Sequence, residues 1–184
     1  MIYSIVSLIL NLAAGLLATV CLLRLYMQYH RISMSLGSSN PLSSFIFAAS
    51  NWLVLPLRKK LPPLGRVDTS SLVAAYLIVL VKTTLLWIFS GLMGEWAMLF
   101  LIAVFALLTL SITALSWLII AYALLSLVRA DSDLSFVLEQ MVNPLLNPIR
   151  RFIPLLGGID LSPIAFLLIL QILEVVLRYV EQSI

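Results

Sequence analysis

One stretch of this chain occurs twice at a fixed distance. Residues 51–70 and residues 143–162 align without a gap, 92 positions apart, which is half of the 184-residue length. Asn, Leu, Pro, Arg, Gly, Asp and Ser recur in place in both stretches. A match of this length, rich in Pro and Gly, predicts two tandem copies of one unit, residues 1–92 and residues 93–184.

Each unit is too apolar for a water-soluble domain. Hydrophobic residues make up 62% of the chain and charged residues only 10%, whereas soluble domains carry about 25% charged residues. Four apolar stretches exceed the roughly 20 helical residues that a bilayer requires, and none has a polar outer face. They are residues 2–29, 70–93, 96–128 and 163–180. The predicted fold class is therefore an all-α membrane protein with four transmembrane helices from two tandem parallel repeats.

A shorter amphipathic helix is predicted between the two spans of each unit. Apolar residues recur with helical spacing in residues 41–55 and residues 133–147, after the start signals Asn40-Pro41 and Ser132-Asp133. The predicted apolar faces are Leu42, Phe45, Ile46, Ala49, Trp52 and Leu53 in the first, and Leu134, Val137, Leu138, Met141, Val142 and Leu145 in the second. Both helices are too short to span, so they lie in the interface or re-enter the bilayer.

Two connectors, residues 56–69 and residues 148–162, lead from these helices to the next span. Their prolines and glycines are expected to end the short helix and turn the chain back toward the membrane. The residues predicted to shape the connectors and cap the following helices are Pro56, Pro62, Gly65, Asp68, Pro148, Pro154, Gly157 and Asp160. For the two aspartates, helix capping and an ion pair with Arg58 or Arg150 are alternatives. The side chains of Asn51 and Asn143 are expected to cap the connectors or form hydrogen bonds with them.

Basic residues concentrate in the segments between the spans of each unit. The positive-inside rule therefore places both connectors in the cytoplasm and both termini outside. The net charge of +3 belongs to this face and does not indicate nucleic-acid binding. The repeated basic pairs act as topology determinants, or they bind anionic lipid headgroups or an acidic partner. These residues are Arg58, Lys59, Arg150 and Arg151.

Charged and polar residues also occur within the apolar spans. Lys82 and Glu174 stand at equivalent positions of the two units, and an uncompensated charge at the bilayer centre costs about 2.5–3.5 kcal/mol. Lys82 pairs with Glu174, extends toward the outer surface, or lines a solute path; Arg178 is the rival partner of Glu174. The predicted intramembrane polar residues are Lys82, Gln171, Glu174 and Arg178. Arg24, at the end of the first span, is expected to snorkel to the headgroups.

Catalytic patterns are missing from the sequence. It contains no metal-ligand spacing, no phosphate-binding glycine loop and no nucleophile accompanied by a base. No catalytic residue, metal ligand or cofactor is therefore predicted, and an enzyme is the least favoured class.

The duplicated motif resembles the YggT/YlmG family of small integral membrane proteins, in its double-repeat bacterial form. The resemblance is carried by Asn40-Pro41 with Pro56-Leu-Arg58-Lys59 through Asp68, by Asn143-Pro through Asp160-Leu-Ser-Pro163, and by Arg24-Leu-Tyr-Met-Gln28. It implies an association with osmotic-stress tolerance and potassium homeostasis in bacteria. In other relatives it implies roles in division, nucleoid distribution and cytochrome maturation. It implies no catalytic or ligand residues.

Two hypotheses for the function follow. The first is a membrane scaffold or assembly protein that binds anionic lipid and a membrane-protein partner, or a second copy of itself, at the cytoplasmic face. The alternative is a small-ion channel or transporter linked to potassium, supported by the charged residues within the spans.

Overall fold

Residues 2–34, 40–90, 96–128, 132–153 and 160–183 are described by the computed structural model of this protein. Within these residues the chain is helical, which confirms the all-α prediction. The helices are α1 (Ile2–Tyr29), α2 (Pro41–Lys60), α3 (Thr69–Ser90), α4 (Trp96–Val128), α5 (Asp133–Arg150) and α6 (Ser162–Gln182).

Four of these helices, α1, α3, α4 and α6, are long and apolar enough to cross a membrane. They contain 28, 22, 33 and 21 residues, so even the shortest extends about 30 Å. Many of their large apolar side chains are exposed, which suits a lipid environment because hydrocarbon is as apolar as leucine. The four helices indicate a multi-pass membrane protein.

The long helices pack in the order α1 on α3, α3 on α4, and α4 on α6. Small side chains lie where α1, α3 and α4 meet, and several are wholly buried. They are Ala18, Cys21, Ala74, Ala75 and Ala103. Membrane helices associate through close backbone approach, which small residues permit. This packing places the starts of α3 and α6 beside the ends of α2 and α5.

The two shorter helices form the remaining part of the fold. Helix α2 contacts α1 and α3, α5 contacts α4 and α6, and α2 also touches α5. Ile46 of α2 and Met141 of α5 are fully buried in one cluster with Met27 of α1. The Tyr26 hydroxyl of α1 donates a hydrogen bond to the Met141 carbonyl at 2.6 Å. This bond joins the two halves of the chain in addition to the packing of α4 against α3 and α1.

The prolines do not end the shorter helices, so that prediction is wrong. Pro56 lies inside α2, which continues to Lys60, and Pro148 lies inside α5, which continues to Arg150. A proline within a helix costs about 3 kcal/mol because it removes a hydrogen bond and crowds the preceding turn. Two residues after each proline stands an arginine, Arg58 or Arg150, that forms a buried or half-buried ion pair. These tertiary contacts hold the last turn of each helix, beyond the proline.

The buried face of α2 also differs from the predicted apolar face. Ser43, Ile46, Ser50 and Val54 are buried at helical spacing, whereas Phe45 and Trp52 are more than 60% exposed. Serines can lie inward because each has a hydrogen-bond acceptor: the Asn40 carbonyl for Ser43 and the Ile46 carbonyl for Ser50. The buried face of α5 contains most of the predicted residues, with Leu146 added. Its buried residues are Val137, Leu138, Met141, Val142 and Leu146.

Candidate functional site

The first charged cluster joins α1, α2 and the start of α3. Arg58, in the last turn of α2, donates a hydrogen bond to Oδ2 of Asp68 and forms an ion pair with it. Arg24 of α1 places its Nε 4.0 Å from the same oxygen. Asp68 is fully buried, and the Ser71 hydroxyl also donates to Oδ2 at 2.8 Å. Two guanidinium groups therefore share one buried carboxylate, and each depends on it for charge compensation.

Arg24 does not snorkel to the headgroups, so that prediction is wrong. Its side chain is buried, with 2% of the residue exposed. One guanidinium nitrogen donates to the Ser50 hydroxyl at 2.7 Å and to Oδ1 of Asn51 at 2.8 Å. The group also lies 5.0 Å from the centre of the Phe47 ring, within cation–π range. Helix α2 covers Arg24 and supplies partners that replace its hydration.

The second cluster lies at the end of α5 and the start of α6. Arg150 donates from Nε to Oδ2 of Asp160 at 2.8 Å. Its other nitrogens donate to Oδ1 of Asn143 at 2.7 Å and to the Tyr122 hydroxyl at 2.9 Å. The other carboxylate oxygen, Oδ1 of Asp160, accepts from the Ser162 amide at 2.9 Å and from the Ser162 hydroxyl. Every part of the pair is therefore held by neighbours from α4, α5 or α6.

Hydrogen bonds keep both members of the second pair charged. Burial alone would raise the pKa of the Asp160 carboxyl, but hydrogen bonds from Ser162 and Arg150 outweigh it and lower that pKa below its ordinary value. Burial also opposes the charge on Arg150, yet the bonds to Asp160 and Tyr122 raise the pKa of the guanidinium. At neutral pH the pair is therefore ionic, because both shifts favour the charged forms.

The two aspartates differ in how they use their oxygens. Asp68 bonds to Arg58 and to the Ser71 hydroxyl, which corresponds to the ion-pair alternative. Asp160 combines both alternatives, since it pairs with Arg150 and also accepts the Ser162 amide at the start of α6. Each aspartate thus ties the start of a long helix to the end of the shorter helix that precedes it.

A tight turn leads from α2 to α3. Gly65 has φ +62°, in the left-handed region that glycine occupies without strain. Leu64 and Val67 exchange two backbone hydrogen bonds of 3.1 Å across the turn. The Pro62 carbonyl then accepts a hydrogen bond from the hydroxyl of Thr69, the first residue of α3, at 2.9 Å. In the second connector, two predicted residues lie outside the described part of the chain: Pro154 and Gly157.

The four basic residues predicted to bind lipid or a partner fall into two groups. Arg58 and Arg150 have side chains about one third exposed, and both are engaged in ion pairs. Lys59 and Arg151, the next residue in each case, are exposed. The geometry therefore assigns the arginines to internal contacts and leaves their neighbours available at the surface.

The intramembrane polar residues are distributed over α3 and α6. Glu174 pairs with Arg178 one turn later in α6, at 2.5 Å. Gln171 lies exposed on the same helix. Lys82 lies in α3 and lines a crevice, and within the described residues no ion pair joins it to Glu174.

Several contacting residues escaped the sequence analysis. Ser50, Tyr122 and Gln28 each bond to an arginine of the two clusters, the last to Arg58 at 3.3 Å. None is a matched position of the repeated motif, and only Gln28 belongs to a stretch that carries the family resemblance. By contrast, asparagine recurs at positions 51 and 143, and both side chains accept from a cluster arginine.

The fold and these clusters define a class: a small, helical, multi-pass membrane protein whose connecting segments are fixed by arginine–aspartate pairs. In the described residues there is no group of three or more His, Cys, Asp or Glu side chains that could hold a metal ion.

Comparison with known sequences gives the family. The model of the family described as CCB3/YggT matches residues 3–89 and residues 101–180. This chain therefore belongs to the CCB3/YggT family. It is 31% identical to the uncharacterized protein YggT of Escherichia coli K12 over 179 residues, which cover 95% of this chain and 90% of that protein. An uncharacterized Pseudomonas aeruginosa protein is 35% identical over 170 residues, 90% of this chain and 84% of the relative. No solved structure matches.

Replacing Asp68 by Asn should destabilise the protein strongly. The change leaves Arg24 and Arg58 without a carboxylate, and breaking a buried pair costs roughly 3–5 kcal/mol. The matched control is Asp133→Asn, because Asp133 is exposed in the first turn of α5. Thermal unfolding of the detergent-purified variants measures the difference. Equal melting temperatures for the two variants would show that the first cluster does not stabilise the fold.

Proposed function

We propose that this protein is a non-enzymatic scaffold of the bacterial cytoplasmic membrane that binds anionic lipid and a membrane-protein partner at one face. The observation that carries the proposal is the division of the basic residues. Arg58 and Arg150 are engaged by Asp68 and Asp160, whereas the adjacent basic side chains are exposed. The exposed ones are Lys59, Lys60, Arg66 and Arg151. Such a rigidly mounted basic surface suits binding better than catalysis.

Exposed aromatic side chains accompany the exposed basic ones. Phe45 and Trp52 of α2, Phe136 of α5 and Phe152 after it are all more than 60% exposed. Aromatic rings favour the level of the lipid headgroups, and Lys and Arg favour the phosphates there. We infer that α2 and α5 are amphipathic helices in the membrane interface, with these rings in the acyl boundary.

A shallow groove beside α2 offers a place for a headgroup. It has a volume of about 630 Å³ and is lined by Leu55, Pro56, Arg58, Lys59 and Lys60. Each Lys or Arg near an anionic membrane surface contributes about 1 kcal/mol of attraction. The two exposed lysines supply charge for a lipid phosphate, and Leu55 and Pro56 supply apolar contact for the glycerol and upper acyl chain.

The two arginine–aspartate pairs also support a duplicated architecture. In each pair the arginine precedes the aspartate by ten residues, and the pairs stand 92 residues apart, as Arg58–Asp68 and Arg150–Asp160. We infer that the two tandem units have the same orientation and are related by an axis along the membrane normal. Each unit then contributes one interfacial helix and one basic pair to the same face.

Removing the exposed lysines should reduce retention of anionic lipid. The double variant Lys59→Gln/Lys60→Gln is expected to keep several-fold less phosphatidylglycerol than the wild type in native mass spectrometry of detergent-purified protein, because the groove loses its free charges. The control is Arg31→Gln, which removes an exposed charge that does not line this groove. Unchanged phosphatidylglycerol retention in the double variant, or an equal loss in the control, would contradict a lipid site at this groove.

The proposed orientation places α2 and α5 at the cytoplasmic face and both termini outside. Cysteine labelling can test it, since Cys21 is the only cysteine of the chain and is buried. In a Cys21→Ser background, Lys60→Cys should react with an impermeant maleimide in inverted vesicles but not in spheroplasts. Gln182→Cys, near the end of α6, should show the opposite pattern. Labelling of Lys60→Cys in spheroplasts would reverse the topology.

A small-ion channel linked to potassium is the alternative. The observation in its favour is the crevice at membrane depth that contains Lys82, because intramembrane charges often mark ion paths. However, an ammonium group in the path opposes passage of a cation. The crevice thus favours the scaffold over a potassium channel, and the osmotic and potassium associations implied by the family resemblance stay expectations.

Potassium flux separates the two functions. Proteoliposomes containing the folded wild type should show no potassium flux above empty liposomes after an osmotic jump. Lys82→Leu serves as the companion variant, since removing the ammonium would increase flux through a path that it blocks. Saturable flux in the wild type that Lys82→Leu alters would overturn the scaffold proposal.

A further inference from the structure

The four long helices surround a crevice that is more polar than its surroundings. Its volume is about 490 Å³, and residues from α1, α3, α4 and α6 line it. The polar lining includes Asn11, Lys82, Thr109, Thr113, Arg178 and Glu181. Polar groups that face hydrocarbon without a partner are costly, so a crevice with this lining requires water or a polar ligand.

Lys82 supplies the positive charge in the interior of the crevice. It stands 13 residues after Thr69, the first residue of α3, which corresponds to a depth of about 20 Å along the helix. Within the described residues its ammonium has no hydrogen bond and no ion pair. A charge at this depth costs several kcal/mol unless it is compensated. The crevice therefore contains a cation that forms no direct ion pair with the protein among the described residues.

Glu181 supplies the negative charge near the mouth. It lies in the last turn of α6, 19 residues after Ser162, at about 29 Å along that helix. Arg178, the nearest basic residue on α6, is already paired with Glu174. The Glu181 carboxylate forms no ion pair in the described part of the chain. Glu181 thus stands about 9 Å further along α6 from its start than Lys82 stands along α3 from its start.

We propose that this crevice binds a small zwitterion, with its anionic group on Lys82 and its cationic group on Glu181. The two protein charges line one cavity but do not contact each other. Because both charges line this cavity, a small zwitterion can bridge them with one charged hydrogen bond at each end. A simple anion would be repelled by Glu181, and a simple cation by Lys82, whereas a zwitterion compensates both charges.

Neutral groups in the crevice complete the proposed site. Asn11 of α1 and Thr109 of α4 both line it, and within the described residues neither side chain makes a hydrogen bond. The amide can donate or accept, and the hydroxyl can do the same, so both suit the polar middle of a ligand. Two sources present the required charges: a soluble amino acid, or the headgroup of phosphatidylethanolamine.

Ligand-dependent thermal stabilisation of the full-length protein in a nonionic detergent tests the site. The probes are glycine and glycerophosphoethanolamine, which are zwitterions, together with acetate and ethylammonium, which carry one charge each. We expect a zwitterion to stabilise the protein saturably, with a dissociation constant at least tenfold lower than that of either single-charge probe. A response to glycine identifies a soluble ligand, and a response to glycerophosphoethanolamine alone identifies a lipid headgroup.

Two substitutions make the test specific. Lys82→Met and Glu181→Gln should each weaken zwitterion binding at least tenfold, while Glu139→Gln, an exposed change on α5, should leave it unchanged. Lys82→Arg keeps the charge and should retain binding, which separates loss of the site from loss of the fold. Tighter acetate binding in Glu181→Gln, with no loss of zwitterion binding, would identify a plain anion site and overturn the proposal. The absence of any saturable response in folded wild type would also overturn it.

Discussion

The shared carboxylate of Asp68 is the contact on which the arrangement of the first half depends. It is fully buried, and it compensates Arg58 of α2 while lying near Arg24 of α1. Charges removed from water must be paired and hydrogen-bonded, and the tolerance for misplacement is small. These contacts fix α1, α2 and α3 relative to one another. The exposed lysines that follow Arg58 in α2 are therefore held in place by the same contacts. The geometry of the proposed lipid site thus rests on an ion pair that touches no lipid.

The second half of the chain fixes its connector with fewer charged residues. Position 24 is arginine, but position 116, which lies 92 residues later, is serine. Arg150 therefore pairs with Asp160 alone and fills its remaining donors with Asn143 and Tyr122. The first cluster has one excess positive charge, and the second is neutral. The two clusters share the pair that fixes the connector but differ in how they hold the preceding long helix.

Sequence alone was sufficient for the long helices and insufficient for the contacts. Apolar length predicts the four long helices, because crossing a bilayer requires about 20 helical residues. The helix ends predicted at Pro56 and Pro148 were wrong because both helices continue past the proline. The local pattern does not include the ion pairs that Arg58 and Arg150 form with aspartates ten residues later. The role of Arg24 was wrong because its partners come from residues that no local pattern connects with it. For the candidate site, the sequence predicted that each aspartate either caps a helix or pairs with an arginine. Choosing between these alternatives required the positions of the neighbouring side chains in the fold.

The hydrogen bond from Tyr26 to the Met141 carbonyl has a mechanical consequence. It joins the cytoplasm-proximal part of α1, as proposed, to the backbone of α5, and its 2.6 Å length leaves little freedom for sliding. A membrane helix responds to a thinner or thicker bilayer by changing its tilt. Through this bond, a change in the tilt of α1 would pull on α5 rather than remain within the first half. A change in bilayer thickness that tilts α1 would then act on α2 through its packing against α1 and on α5 through this bond.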